Sequence, residues 1–560
     1  MASLLSDYLV TDDTTILLGL IAATVFLLNN LYKPQPLVHP ILLGRQSDVA
    51  RVRHAGESAV YRNYGTGLMG RFPLRPGKDV HILADLIKPD SDASRTLWST
   101  KISNPTLQDR VAAFGTGLLR LGGLEVGESN VLLLLNDCIE FIIADLALAS
   151  HSIPSFTLSA SNLLASVLDS HPPSAIITHA SMLPQILELI YDSGEGGRNH
   201  TIIVVGEPSP QTMASVASKV NVLRWSDVER EGVRVEKIIS PIPKPSDVFT
   251  VSFFSSESGH IQGAQLTHEN ITAGVAAVRA LLPLSHAFSQ LDTVVSAHTL
   301  SSAYGRAIAY TAIYEGTSFA TLESSKLFHE NEYTPQANVT DALSFKAYTI
   351  PSPTVAFFKP DHVHTLVPEI LKEARKSLLF PFGWRHKLAS ISEGFMTRES
   401  LWDRLVFDAA RSKVVGNGAA SLRAVIISGG TFAADTVTRA RIALSIPIVN
   451  CYSHALVAGP VLASHALDLQ DLAVDGIANA HTGPPSVNVE AKLVGVDDEQ
   501  VENQGADPVG ILMVRGPTVG RLESMERSYV SIPSGEDEGW VGTGLRATAQ
   551  TNGAFRLLQQ

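Results

Sequence analysis

From Leu97 to Val205 the chain alternates unbroken apolar runs with segments of helical spacing, and few architectures accept such an alternation. Val131 to Leu135 is apolar at every position, as befits a strand buried on both faces. Asn136-Asp137-Cys138-Ile139-Glu140 then opens a helix running through Ala149. Ala175-Ile176-Ile177, a helix from Met182 to Tyr191, and Ile202-Ile203-Val204-Val205 repeat the unit. Upstream, Leu107, Val111, Phe114, Leu118 and Leu121 fall at helical spacing and Gly122-Gly123 stops them. The succession predicts an α/β fold with helix-flanked, largely parallel sheets. A chain of 560 residues exceeds one ordinary core, so two or more subdomains are expected.

The stretch Val251 to Asn270, VSFFSSESGHIQGAQLTHEN, carries the most chemistry. Strand-formers enter a loop of small hydroxyl and glycine residues, and a helix-like segment follows from Thr267. Strand, polar loop and helix are how a backbone offers amides to a phosphate. Turning a strand into a helix, however, needs only Gly259, Gly263 and the hydroxyls. Glu257 sets a carboxylate among the amides, so the charge balance favours the structural role over triphosphate binding.

The lead-in Lys244-Pro245-Ser246-Asp247 and the exit Gly263-x-x-Leu266-Thr267-His268-x-Asn270 frame this loop in a way that resembles the adenylate-forming (AMP-binding) enzymes, specifically the long-chain acyl-CoA synthetases. Also similar to that family are Leu118-Leu119-Arg120-Leu121-Gly122, Leu401-Trp402-Asp403-Arg404-Leu405-Val406-Phe407, the strand with its turn Leu422 to Gly430, Cys451 to Leu456, Gly510 to Pro517 and Gly539 to Leu545. The resemblance implies a large α/β domain of two helix-flanked β-sheets plus a smaller β subdomain over 97–558. A loop-rich approach segment over 37–96 and an anchor over 1–36 precede it. The family's small carboxy-terminal domain, which carries a catalytic lysine, is expected to be absent.

Residue by residue, the resemblance assigns nucleotide binding to Ser255, Ser256, Ser258, Gly259 and Gly263 in the loop, to Gly429 and Gly430 in a turn that lets a base plane approach the backbone, and to Tyr452 as a purine-stacking ring. At four charged positions of the family the chain departs. Gln262 replaces the loop lysine, Leu456 the glutamate that holds magnesium, Ile511 an acidic residue and Leu545 the aspartate that accepts from the ribose. A leucine offers no oxygen to a hard cation. Thr299 and Ser302 stand where the family has a proline and a histidine. No residue is therefore assigned a catalytic or metal-ligating role, and ATP or AMP is the expected nucleotide. CoA and magnesium enter only under an active long-chain fatty-acid:CoA ligase. The expected function is that of an acyl-CoA synthetase-like protein of lipid metabolism with impaired chemistry, which binds an acyl chain, a nucleotide or a protein.

Ile16 to Leu28 is free of charge, and Thr14 to Tyr32 is barely long enough to cross a bilayer, about 28 Å as a helix. Asp7, Asp12 and Asp13 precede it where a cleaved signal would carry basic residues. The sequence thus predicts an uncleaved anchor, as a transmembrane helix or one dipping into a single leaflet. Lys33, Arg45, Arg51 and Arg53 lie downstream and place the body in the cytosol. Endoplasmic reticulum, lipid droplet and peroxisome are the membranes this reading allows. From His362 to Lys387 an apolar stripe (Leu366, Ile370, Leu371, Ala374, Leu378) accompanies Lys372, Arg375, Lys376, Arg385 and Lys387 beside Phe380, Phe382 and Trp384. Core packing and contact with anionic lipid both fit that pattern. A formal charge of -12 and the lack of basic runs exclude general nucleic-acid binding. Two distant cysteines, Cys138 and Cys451, exclude a disulfide framework.

Overall fold

The computed structural model describes residues 12–31, 35–66, 71–88, 93–192, 200–216, 220–256, 259–329, 336–470, 479–524 and 539–558. Two eight-stranded sheets and one six-stranded sheet organise them. In the first large sheet Val131–Leu134, Ser155–Leu158, Ala175–His179, His200–Val205 and Val220–Arg224 run parallel, with Val248–Ser255 parallel to Ser155–Leu158. In the second, Thr293–Ser296, Ser318–Thr321, Val355–Phe358, Ala424–Ile427 and Ile448–Ser453 are parallel. The apolar runs are central strands buried at every position, as their lack of alternation requires.

Between the large sheets lie helices with no wet face. Residues 303–314 of the helix Ala303–Glu315 are all buried, and the same core cluster joins Tyr304 and Ile308 to Val131 and Leu133 of one sheet and Phe357 and Ile426 of the other. A helix apolar all round must be covered all round. Asn104–Gly122 ends at Gly123 in a left-handed conformation, φ 64°, as the glycine pair indicated. Leu107, Val111, Phe114 and Leu118 are buried, while Leu121 faces out.

Three sequence expectations need correction. The second half of the central loop is a strand: Ile261–Thr267 runs antiparallel to Val248–Ser255, and its outer edge is covered by Arg521–Ser524. The helix expected from Thr267 does follow, as His268–Arg279, with Thr267 and Asn270 forming a reciprocal cap. Second, the approach segment contributes two strands, Ser47–Arg51 and Val60–Asn63, which pair with each other and join Glu490–Val494 of the antiparallel six-stranded sheet. Third, the amino-terminal helix Asp13–Leu31 forms, yet among the described residues no helix is long and apolar enough to cross a membrane. Its most apolar stretch, Ile16 to Leu28, rises only ~20 Å against a hydrocarbon core of ~30 Å. Ile16, Leu18, Leu20 and Phe26 are each more than half exposed on it.

Candidate functional site

The hairpin that resembles a phosphate loop spends two of its described backbone donors on itself. Ser256 N–H donates to the His260 carbonyl at 2.8 Å, and Gly259 N–H to that of Ser256 at 2.9 Å, with Gly259 at φ 81°. Two amides committed to a tight turn are not aimed at an anion. Ser255 is exposed at the strand end, opposite Ile261. Ser258 and Glu257 lie outside the described residues. Gly263 sits between two strands, where a Cβ would come within 2.9 Å of Val251 Cγ1 and 3.3 Å of Glu523 Cβ. Sheet packing alone accounts for glycine there.

The turn after Ala424–Ile427 is different. Ser428 is buried, Gly429 has φ 94°, and both glycines of the pair are exposed. His298, just past the end of Thr293–Ser296 and one strand removed in the same sheet, meets Ser428 Oγ through Nε2 at 2.9 Å, and its ring lies edge-on to Tyr304, centroids 5.0 Å apart. Burial, then the nearby Lys359 charge, push its pKa down to about 3, so this imidazole is neutral at physiological pH. A Cβ on Gly429 would lie 3.5 Å from His298 Cε1 and 3.7 Å from Lys359 Cγ. The two side chains therefore flank one side of the glycine turn. Burial also lowers the Lys359 pKa, against the pull of Asp341 and Asp361. Sequence reasoning missed Lys359. The signal was present in Lys359-Pro360, a cation placed just before a helix-opening proline at the end of an apolar strand.

Tyr452 lies on Ile448–Ser453, only 8% exposed, and belongs to a core cluster with Val457, Leu462, Val489 and Leu512. Its ring is held in the interface with the six-stranded sheet, which limits the stacking role expected of it. Leu456 is 3% exposed and its carbonyl accepts from Gly520 N–H at 2.7 Å. Burial brings the intervening His454 down to about 4. The His454 ring stands 6.4 Å from that of Phe254, so the hairpin and this turn share one edge of the molecule. Leu545 packs against the same core cluster as Tyr452, and Ile511 is 45% exposed on Val509–Arg515. Among the described residues no group of three His, Cys, Asp or Glu side chains could hold a metal ion. The glycine turn fits a base plane. Among the described residues, Leu456 offers no oxygen to a metal ion, and two hairpin amides are taken up by the turn itself.

Thr299 and Ser302 have local tasks. Thr299 Oγ1 donates to Asp137 at 3.0 Å, and Ser302 Oγ caps Ala303–Glu315 by accepting from Gly305 N–H at 3.1 Å. Asp137 also accepts from Leu300 N–H at 2.8 Å and Ser325 Oγ at 2.7 Å. It borders a cavity of ≈ 1000 Å³ lined by Trp98, Cys138, His179, Phe328 and Tyr348 among others, a ligand-sized space. The loop from His298 to Ser302 thus connects the glycine turn to this cavity. Nothing in the residue pattern marked it, because its walls come from strand ends far apart in the chain.

Desolvation pushes the Asp137 carboxyl up to about 6, against its hydrogen bonds. Between about pH 4 and pH 6 the folded protein holds a proton that the unfolded chain has released, so this group's stabilisation is complete at low pH and disappears as pH rises through 6. The difference amounts to at most ~3 kcal/mol. Thermal midpoints measured across that window should fall for the natural protein relative to Asp137→Asn, whose curve lacks the term. Parallel curves would show that Asp137 ionises normally in the fold.

A family model described as "AMP-binding enzyme" matches residues 99–522. The chain is similar to Long-chain-fatty-acid--CoA ligase 5 of Mus musculus, 23% identical over 475 residues, or 82% of this chain. It spans 64% of that relative's length. It is also 22% identical over 517 residues to the peroxisomal Long chain acyl-CoA synthetase 6 of Arabidopsis thaliana, covering 88% of this chain and 68% of the relative. Among solved structures, a long-chain-fatty-acid-CoA ligase from Archaeoglobus fulgidus superposes with TM-score 0.59 at 14% identity, covering 86% of this chain and 84% of that one. The anthranilate CoA ligase AuaEII, in complex with anthranoyl-AMP, gives TM-score 0.59 at 15% identity, with 86% and 78% covered. At these identities the structures establish a shared fold.

Proposed function

Given that the chain belongs to the AMP-binding enzyme family, we propose that it is a long-chain acyl-CoA synthetase-like protein of lipid metabolism whose adenylation chemistry is impaired. It acts by holding an acyl chain, a nucleotide base without metal, or a protein partner. The observation that carries this reading is Leu456, an oxygen-free side chain, 3% exposed, at the position corresponding to the family's magnesium-holding glutamate. Gln262 and Leu545 remove two further polar contacts to the nucleotide. Each such loss costs on the order of 10² to 10³ in rate, without simple additivity. The exposed apolar helix Asp13–Leu31 supports association with a membrane or lipid-droplet surface, by insertion into one leaflet, with the body in the cytosol. Endoplasmic reticulum, lipid droplet and peroxisome are the membranes proposed.

Purified protein incubated with labelled long-chain fatty acid, ATP, magnesium and CoA is expected to form no acyl-CoA above a control lacking ATP. Robust ATP-dependent product would establish the second reading, an active fatty-acid:CoA ligase. One observation favours that alternative: Lys359 brings a cation to the edge of the Gly429 turn. Under it, Lys359→Met would abolish product formation and Lys359→Arg would retain part of it.

A further inference from the structure

The basic and aromatic segment between Val355–Phe358 and Ala424–Ile427 of the second large sheet resolves into two helices, and they treat their apolar residues differently. On Pro360–Ala374 the residues Leu366, Ile370, Leu371 and Ala374 are buried in the core. Beyond Ala374 the stripe leaves the core. Leu378 is 93% exposed, Phe382 58%, Leu401 64% and Leu405 50%. Phe382 and Leu388 lie on the helix Phe380–Ser392, whose buried face is Gly383, Lys387 and Ile391. A parallel stack of Phe382 on Trp402, centroids 6.5 Å apart, holds the two exposed stretches together. A core accounts for none of these exposed side chains.

Charge at this corner runs against that of the molecule. Residues 372–404 carry seven Lys or Arg against four Asp or Glu in a chain whose formal charge is -12. Arg375, Arg385 and Arg404 are exposed, and no carboxylate lies within ion-pair distance of them among the described residues. Arg375 lies over the Phe380 ring at 5.9 Å. The amino-terminal segment also arrives here. Leu37 N–H donates to the Gly394 carbonyl at 2.9 Å, just past the end of Phe380–Ser392, and Leu37 packs on the same cluster as Phe380 and Trp384. Five residues separate Leu37 from Leu31, the last of the apolar helix, a reach of at most about 20 Å over six steps.

We propose that this corner lies on an anionic lipid surface. Leu378 and Phe382 enter the acyl region, Arg375, Arg385 and Arg404 contact headgroup phosphates, and the amino-terminal helix inserts beside them. The inference rests on the proposed membrane association and adds which face of the body meets the membrane. Scattered exposed leucines need no partner, but apolar side chains set among unpaired arginines match the interfacial zone, apolar below and anionic above. A negatively charged protein approaching an anionic bilayer is oriented by a surface of opposite sign.

Co-sedimentation of the full chain with phosphatidylcholine vesicles, with and without phosphatidylserine, tests this. Three variants are compared: Leu378→Ser with Phe382→Ser, Arg385→Glu alone, and Leu18→Asp with Ile21→Asp in the amino-terminal helix. Both corner variants are expected to lower binding to phosphatidylserine vesicles by about tenfold or more, and Arg385→Glu to leave binding to phosphatidylcholine alone unchanged. Because Arg385 is an exposed side chain, its substitution keeps the test decisive if the apolar pair disturbs folding. Full binding by the corner variants together with loss in the helix variant would overturn this inference and leave the membrane reading standing. Binding unchanged in all three would overturn both. A corner-dependent dimer in light scattering, with vesicle binding intact, would assign the face to a second copy of the chain instead.

Discussion

Asp145→Ala should destabilise the protein by about 3–5 kcal/mol, because it strips the partner from a charge buried between the two large sheets. Asp145 and Arg306 are both fully buried and 3.5 Å apart. Asp145 also accepts from Tyr310 Oη at 2.6 Å and from Ser155 Oγ at 3.0 Å, while Arg306 donates to Thr250 Oγ1. The network therefore joins a helix beneath the first sheet, two of that sheet's strands, and the helix that leads away from the His298 loop. Burial, then the Asp145 charge, hold the Tyr310 phenol well above its ordinary range, so it stays a donor. Urea denaturation followed by tryptophan fluorescence measures the loss. The double substitution Asp145→Leu with Arg306→Met, which removes both charges, should recover most of it. A single-site loss below about 1 kcal/mol would mean that water reaches the pair.

The second prediction is a gain. Gln262→Lys together with Leu545→Asp puts a cation in the hairpin and an acceptor where the family resemblance places the ribose, and should tighten ATP binding by about tenfold or more, or ~1.4 kcal/mol. Calorimetric titration with ATP and with AMP, with and without magnesium, reads it directly. On the assignment the family resemblance implies, with the hairpin toward the phosphates and the Gly429 turn toward the base, the gain should fall mainly on ATP. Because Leu545 packs against the cluster around Tyr452, the double variant should also lose some stability, whereas Gln262→Lys alone should not. Unchanged ATP affinity in a folded double variant would show that neither position faces the nucleotide.

Reading the chain residue by residue located what depends on neighbours along it. The helix stop at Gly123, the Thr267 cap and the fully apolar strands follow from local periodicity and backbone preference. The four positions that have lost charge are likewise a matter of residue identity alone, whatever their surroundings. The helix-flanked parallel sheets followed from the order of apolar strands and helices, and their number from the resemblance to the adenylate-forming enzymes.

What the chain could not declare was which partners its segments would choose. Ile261–Thr267 reads as the exit of a loop, but it is a strand because Val248–Ser255 and Arg521–Ser524 pair with its two edges. Ser47–Arg51 and Val60–Asn63 look irregular, yet they complete a sheet whose other strands lie more than 400 residues later. One amphipathic stripe divides at Ala374 into core and exposed face, and Tyr452 turns from a ring open to a purine into part of a subdomain interface. Sequence fixes the propensity and chemistry of each residue, since these are properties of the residue and its nearest neighbours. Pairing, burial and the meeting of Lys359, His298 and Gly429 belong to the tertiary structure, because hydrogen bonds and desolvation act between groups that only folding brings within a few ångströms.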